Sequence, residues 1–131
     1  MKLTEDERKA VVHLKIEKAE NTFEEAQGIA SLGYWPAVGN RLYYAAYHIV
    51  SALLISHGYE AQMHSGVIHL FGLHFIVKGI VPKESGKLYS KLYDLRLTGD
   101  YDDVYTVNSK DVEHLLPLVK NFLNELKGLM T

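Results

Sequence analysis

The stretch LYYAAYHIVSALLI, residues 42–55, decides the fold. Its side chains are apolar nearly all the way round a helix, and a helix of that composition is usually buried at the centre of a bundle. Pro36 suits the first position of a helix, and Gly58 is typical of the position just after its end. The sequence therefore predicts a central helix over residues 36–57.

A long amphipathic helix precedes this central one. Thr4 followed three residues later by Glu7 is the pattern of a capping box, which satisfies free backbone N–H groups at a helix start. Apolar residues then recur at spacings of three and four, as on one face of a helix; they are Val12, Ile16, Ala19, Phe23, Ala26 and Ala30. Gly33 predicts the end of this helix.

Two further helices are predicted after the central one. The third covers residues 65–77 and is stopped by Gly79 and Pro82. The fourth covers residues 83–98, and Gly99 is expected to end it. A polar loop follows.

The last helix is expected to be capped by Asn108 or Ser109 and to bury a stripe between residues 112 and 129. Pro117 within it predicts either a kink or a late helix start. No segment shows the alternation of a strand, and short connections favour antiparallel neighbours. We therefore expect residues 1–131 to form one all-α domain, an antiparallel up-and-down bundle of four or five helices.

Composition excludes several classes of protein. The net charge of −2 provides no broad basic field, so any nucleic-acid contact must come from a local patch. The absence of cysteine excludes disulfides and thiolate chemistry. The N-terminus is too polar for a signal peptide, and the apolar run of residues 45–55 is too short to span a bilayer. A cytoplasmic protein is the expectation.

Neither a metal ion nor a cofactor is expected. His64, His69 and His74 recur every five residues, which rotates each by about 140° from the last on a helix, so they do not converge. The common metal-ligand motifs and Gly-rich phosphate loops are missing from the sequence.

Arg41, Tyr44 and His48 lie on one face of the central helix, because their spacings are three and four residues. An arginine and a histidine are costly to bury unpaired in such an apolar helix. They line a cleft or subunit interface, or else Arg41 is held by an acid and His48 is a satisfied core residue. Both interpretations stay open.

A second polar stripe lies on the fourth helix, where Tyr89, Tyr93, Arg96 and Asp100 share a face. Arginine binds phosphate through two nitrogens and tyrosine stacks on bases, so the stripe suits phosphate or base contact. The alternative is an ordinary Arg96–Asp100 ion pair at the bundle edge, which the residues alone favour.

His64 heads the third helix in the string MHSG, residues 63–66. Its side chain either caps the helix or faces a ligand docked at the positive helix start. The sequence alone favours capping.

Three separated strings carry a resemblance to a known family. They are NRLYYAAYHIVSALLISHG (residues 40–58), MHSGVIHLFGLHFIVKGIVPKE (63–84) and LYDLRLTGDYDD (92–103). They resemble, in order, the Arg-x-Tyr-Tyr-Ala, His-Ser-Gly and Arg-x-x-x-Asp-Tyr motifs of the small stand-alone HEPN proteins of bacteria and archaea. The resemblance covers residues 37–103.

The resemblance implies a helical bundle that forms homodimers and pairs with a small nucleotidyltransferase in a toxin–antitoxin-like system. It implies a nucleotide- or RNA-binding module with no membrane contact. The expected ligand-binding residues are Arg41, Tyr44, His64, Tyr93, Asp100 and Tyr101. Two alternatives are a metal-independent endoribonuclease toxin and a ligand-free oligomerisation domain. Aromatic residues expected at a protein contact are Tyr34, Trp35, Tyr43 and Tyr47.

Ribonucleases of this family use an arginine and a histidine that are separated by four to six residues. After Arg96 the corresponding positions hold Tyr101, Asp102 and Asp103, whose protonation lies far from neutral pH. We therefore hypothesise that His48 or His64 supplies the imidazole from across the bundle or from across the dimer. Arg96 and His48 are the candidate catalytic residues.

Overall fold

The computed structural model describes residues 2–130, and helices dominate it. They are α1 (Glu5–Ala30), α2 (Trp35–Ser56), α3 (His64–Phe71) continued by a π-helical turn (Gly72–Ile76), α4 (Lys83–Tyr101), α5 (Ser109–Val112) and α6 (Leu115–Gly128). No strand occurs within these residues, which confirms the all-α prediction. None of the helices in residues 2–130 is long and apolar enough to cross a membrane.

Helix α2 is the centre of the bundle. Twelve of its 22 residues are buried, and it packs against α1, α3, α4 and α6. This confirms the central helix predicted from residues 42–55. Burial of so much apolar surface on one helix is the main source of stability available to a bundle of this size.

Contacts between helix ends show that neighbouring helices are antiparallel. Arg8 near the start of α1 donates to the carbonyl oxygen of Ile55 near the end of α2, at 2.8 Å. The Ser85 hydroxyl near the start of α4 donates to Glu125 near the end of α6, at 2.7 Å. The side-chain nitrogen of Asn40 near the start of α2 donates to Asp100 near the end of α4, at 3.2 Å.

The capping box predicted at the start of α1 is present. The backbone N–H of Glu7 donates to Thr4 Oγ1 at 3.1 Å, and that of Thr4 donates to Glu7 Oε1 at 2.8 Å. At the other end, Gly33 has a φ of 79°, which glycine adopts without a steric penalty. The turn to α2 therefore depends on Gly33.

The prediction that Gly99 ends the fourth helix is wrong, since α4 continues to Tyr101. Gly99 lies against the start of α2, where a Cβ would come within 3.7 Å of the Pro36 carbonyl oxygen and of a Val107 methyl group. Both distances are ordinary van der Waals contacts, so the packing there does not require a glycine. Gly99 therefore lies inside the helix and does not terminate it.

Pro117 marks a late helix start, one of its two predicted outcomes. It is the third residue of α6, where the first four N–H groups have no partner within the helix in any case. The short α5 precedes it and is capped by Asn108, whose side-chain oxygen accepts from the N–H of Lys110 at 3.0 Å.

Candidate functional site

Aromatic rings surround Arg96 where α2, α3 and α4 meet. Its side chain is only 13% exposed. The guanidinium carbon lies 5.5 Å from the ring centre of Tyr44, 5.6 Å from that of Tyr43 and 5.9 Å from that of Tyr101. Cation–π attraction of this kind strengthens as water is excluded. We call Tyr43, Tyr44, Tyr47, His64, Tyr93, Arg96 and Tyr101 the arginine–tyrosine cluster.

The Arg96–Asp100 ion pair offered as the plain alternative is present, and it uses one side of the guanidinium. Arg96 Nε lies 3.2 Å from Asp100 Oδ2. Within residues 2–130 the two terminal nitrogens of Arg96 make no hydrogen bond. The paired arginine therefore still offers its terminal donors to a ligand.

Asn40 joins the two arginines, and sequence reasoning missed it. Its side-chain nitrogen donates to Asp100 Oδ2 at 3.2 Å, while its oxygen accepts from Arg41 Nη2 at 2.8 Å and Nε at 3.1 Å. Arg41 Nη1 also lies 3.8 Å from Glu25 Oε1. The polar network thus runs from α1 across α2 to α4. Asn40 and Asp100 are 60 residues apart, so helical spacing cannot reveal the contact.

His64 hydrogen-bonds to Tyr43 and does not cap its helix, so the capping interpretation is wrong. Met63 is the N-cap residue of α3, and no side chain caps that end. The Tyr43 hydroxyl lies 2.5 Å from His64 Nδ1. Burial raises the pKa of Tyr43 to about 12, so the phenol keeps its proton, and we assign it as the donor to the ring nitrogen.

His64 is a neutral imidazole beside a cation. Burial and the nearby Arg96 charge lower the pKa of His64 below its usual value. Because Nδ1 accepts from Tyr43, the ring proton belongs on Nε2. The ring lies 4.6 Å from that of Tyr47 and 6.5 Å from that of Tyr93, between centroids. His64 is therefore held in one tautomer within the cluster.

The prediction that Tyr43 lies at a protein contact is wrong, because this residue is fully buried. Its hydroxyl meets His64, and its ring packs between Tyr89 and the guanidinium of Arg96. Tyr34 is 64% exposed, as a contact residue must be. Of these two adjacent tyrosines, Tyr43 therefore lies in the core and Tyr44 lies at the edge of the core.

Arg41, Tyr44 and His48 do share one face, as their spacing predicts. The Arg41 guanidinium lies 5.3 Å from the Tyr44 ring centre, and the His48 ring lies 6.2 Å from it. Together they line a groove between α1 and α2. Tyr44 therefore has a guanidinium on each side, from Arg41 and from Arg96.

His48 lies apart from Arg96. Within residues 2–130 no contact joins the two side chains, and its buried Nδ1 has no hydrogen-bond partner. Burial lowers the pKa of His48 to about 4, and the charges of Lys18, Lys15 and Arg41 add to that effect. The imidazole beside Arg96 is that of His64.

The other predicted ligand-binding residues lie in the cluster or next to it. The Tyr93 ring lies 5.6 Å from that of Tyr43, and Tyr101 is 69% exposed at the end of α4. Asp100 is engaged by Arg96 and Asn40. Across residues 2–130 no group of three histidines and carboxylates could hold a metal ion.

Comparisons with known proteins agree on one family. Residues 12–129 match the HEPN domain. The chain is 29% identical over 125 residues to a UPF0332 protein of Thermotoga maritima, with 95% of each chain covered. It is 33% identical over 99 residues to a Methanocaldococcus jannaschii protein named "Putative toxin", covering 76% of this chain and 73% of that one. A crystal structure of a Thermus thermophilus protein has a TM-score of 0.75 at 20% identity, covering 89% of this chain and 96% of that one.

Proposed function

Because this chain belongs to the HEPN domain family, we propose that it is a nucleotide- or RNA-binding module whose phosphate group binds at Arg96. One observation carries this proposal. A guanidinium that is 13% exposed and held by three tyrosine rings keeps its terminal nitrogens free of protein hydrogen bonds within residues 2–130. Two parallel N–H groups on a fixed guanidinium suit the two oxygens of a phosphate.

The surrounding side chains suit the rest of a nucleotide. Tyr101 is exposed beside Arg96, and half-buried Tyr44 lies between two guanidiniums, so either ring can stack on a base. The Nε2–H of His64 is a further donor for a phosphate or ribose oxygen. Since the net charge is −2, binding depends on this local site and not on a broad basic surface.

The test is the affinity for a short single-stranded oligoribonucleotide, measured by fluorescence anisotropy. Arg96→Ala should weaken binding at least tenfold, because a charge-assisted hydrogen bond contributes about 1.5–3 kcal/mol. Arg96→Lys should recover only part of that loss, since lysine lacks the two-nitrogen geometry. Lys120→Ala removes an exposed charge on α6 and is the matched control. Equal affinities for Arg96→Ala and Lys120→Ala would refute the proposal.

We further propose a homodimer that pairs with a small nucleotidyltransferase in a toxin–antitoxin-like system. The name of the Methanocaldococcus jannaschii relative supports the toxin–antitoxin part of this proposal. The homodimer and the nucleotidyltransferase partner rest on the resemblance of the three sequence motifs. Exposed apolar residues beside the cluster suit a protein contact: Tyr101 and Val104 are 69% and 95% exposed. Light scattering on the purified chain tests the dimer; a monomer at micromolar concentration would argue against it.

A metal-independent endoribonuclease is the second candidate function, and His64 is the observation that favours it. A neutral imidazole next to an arginine can donate its Nε2 proton to the leaving oxygen of RNA while its Nδ1 takes up the proton of the Tyr43 hydroxyl and the arginine holds the phosphate. Cleavage of RNA in EDTA should then be lost in Arg96→Ala and in His64→Ala. The same assay on His48→Ala tests the candidate named from sequence; retained cleavage removes His48 from the mechanism.

A further inference from the structure

A second cavity lies outside the arginine–tyrosine cluster, between the start of α1 and the segment joining α2 to α3. Its volume is about 400 Å³, within the range of small-molecule sites in proteins. Six of its wall residues are aliphatic, namely Leu3, Val11, Leu54, Ile55, Ala61 and Val67. The cavity can therefore cover an apolar body of modest size.

Basic groups also line this cavity, and none of them forms an ion pair within residues 2–130. Lys2, Arg8 and Lys15 face a single acid, Glu60. Within residues 2–130 the ammonium of Lys15 has neither an ion pair nor a hydrogen bond, although the side chain is half-buried. Burial, with some contribution from Lys18, lowers the pKa of Lys15. An anion seated in the cavity would stabilise that charge.

Further hydrogen-bond donors converge on the same space. Arg8 is fixed by the bond from Nη1 to the Ile55 carbonyl oxygen, which leaves its other nitrogens for a ligand. Within residues 2–130 the hydroxyls of Ser51 and Tyr47 make no hydrogen bond, although Ser51 is only 8% exposed. Unpaired polar groups at the edge of a cavity are costly unless a ligand or water meets them.

We propose that this cavity binds a small organic anion, in which a carboxylate or phosphate group meets Lys15 and Arg8 and an apolar body packs against Leu54 and Val67. Both acid groups offer the oxygens that an ammonium and a guanidinium recognise. A neutral molecule of the same shape lacks that interaction. The proposal is independent of RNA binding at Arg96.

The cavity also adjoins the arginine–tyrosine cluster. Tyr47 lines it, and the Tyr47 ring lies 4.6 Å from the ring of His64. A ligand in the cavity therefore touches a side chain that packs on His64. Its binding should alter the NMR signals of Tyr47 and His64, while those of the exposed His114, which does not line this cavity, stay unchanged.

The experiment titrates benzoate, phenyl phosphate and neutral benzamide into the full chain, followed by NMR. Benzoate, phenyl phosphate or both should shift signals of Lys15 and Tyr47, and whichever binds identifies the acid group. Benzamide should bind at least tenfold more weakly. No binding of either anion at 10 mM, equal binding of benzamide, or shifts confined to other residues would each overturn the proposal.

Variants provide the second measurement. Lys15→Met keeps most of the side-chain volume and should weaken anion binding about tenfold or more, the loss expected for one charged hydrogen bond. Lys9→Met removes an exposed lysine of the same helix and should bind as the wild type does. Circular dichroism confirms that each variant is folded. Unchanged affinity in folded Lys15→Met would overturn the proposal, and the shift map on the wild type decides it if that variant does not fold.

Discussion

Replacing His48 with glutamine should make the protein less sensitive to acid. Burial lowers the pKa of His48 from 6.5 to about 4 in the folded chain. As pH falls, the unfolded chain therefore takes up this proton first, which favours unfolding. The contribution of the neutral His48 ring to the free energy of unfolding is complete above pH 6.5, and it is lost progressively as pH falls towards 4.

The pKa difference sets the size of the effect. A group that shifts from 6.5 to about 4 corresponds to about 3.4 kcal/mol, at 1.36 kcal/mol for each pH unit. The His48 ring is only partly buried, and water screens it, so we expect about 1–2 kcal/mol between pH 7 and pH 4. The neighbouring charges of Lys15, Lys18 and Arg41 persist throughout this range.

Urea unfolding at a series of pH values measures this effect. The free energy of unfolding of His48→Gln should fall by about 1–2 kcal/mol less than that of the wild type between pH 7 and pH 4. The matched control is His13→Gln, which removes an exposed histidine. If His48→Gln and the wild type lose the same free energy on acidification, the account of a buried, neutral His48 is refuted.

Three further predictions concern the cluster, the turns and the core. Tyr43→Phe should cost about 1 kcal/mol in urea unfolding and raise the pKa of His64 in an NMR titration, because the bond that favours the neutral ring is lost; an unchanged His64 pKa would contradict this. Gly28→Ala should stabilise α1 by about 0.5–1 kcal/mol, since a Cβ at this position meets no atom within 4 Å. Gly33→Ala should destabilise the protein by about 1–2 kcal/mol, because the φ of Gly33 is 79°. Melting temperatures of the two variants equal to that of the wild type would argue against both predictions. Leu92→Ala, at a fully buried position, should cost about 2–5 kcal/mol by the same unfolding assay, and a cost below 1 kcal/mol would show that α4 packs more loosely than described.

Much of the fold follows from patterns within single helices. The apolar run of residues 42–55 predicted the central helix, and Thr4 with Glu7 predicted the start of α1. These signals are local, because capping and amphipathic periodicity depend on residues within a few positions of one another. The prediction from Gly99 failed because glycine typically ends a helix where its φ is positive, and Gly99 does not have a positive φ and lies within α4.

Only part of the candidate site could be predicted from the sequence. Periodicity placed Arg41 with Tyr44, and Tyr93 with Arg96, because each pair lies on one helix. It could not reveal the contact of Asn40 with Asp100 or of Tyr43 with His64, since each joins different helices. The burial of Tyr43 beside the half-buried Tyr44 likewise depends on how α4 packs against α2.

The central claim is that the Arg96 guanidinium receives a phosphate group inside a ring of tyrosines. NMR of the arginine side-chain N–H groups, during titration with a short single-stranded oligoribonucleotide, tests it most directly. The account predicts that the Arg96 signals shift and saturate together with ring signals of Tyr44 and Tyr101. Binding of the oligoribonucleotide that leaves the Arg96 signals unmoved would contradict it.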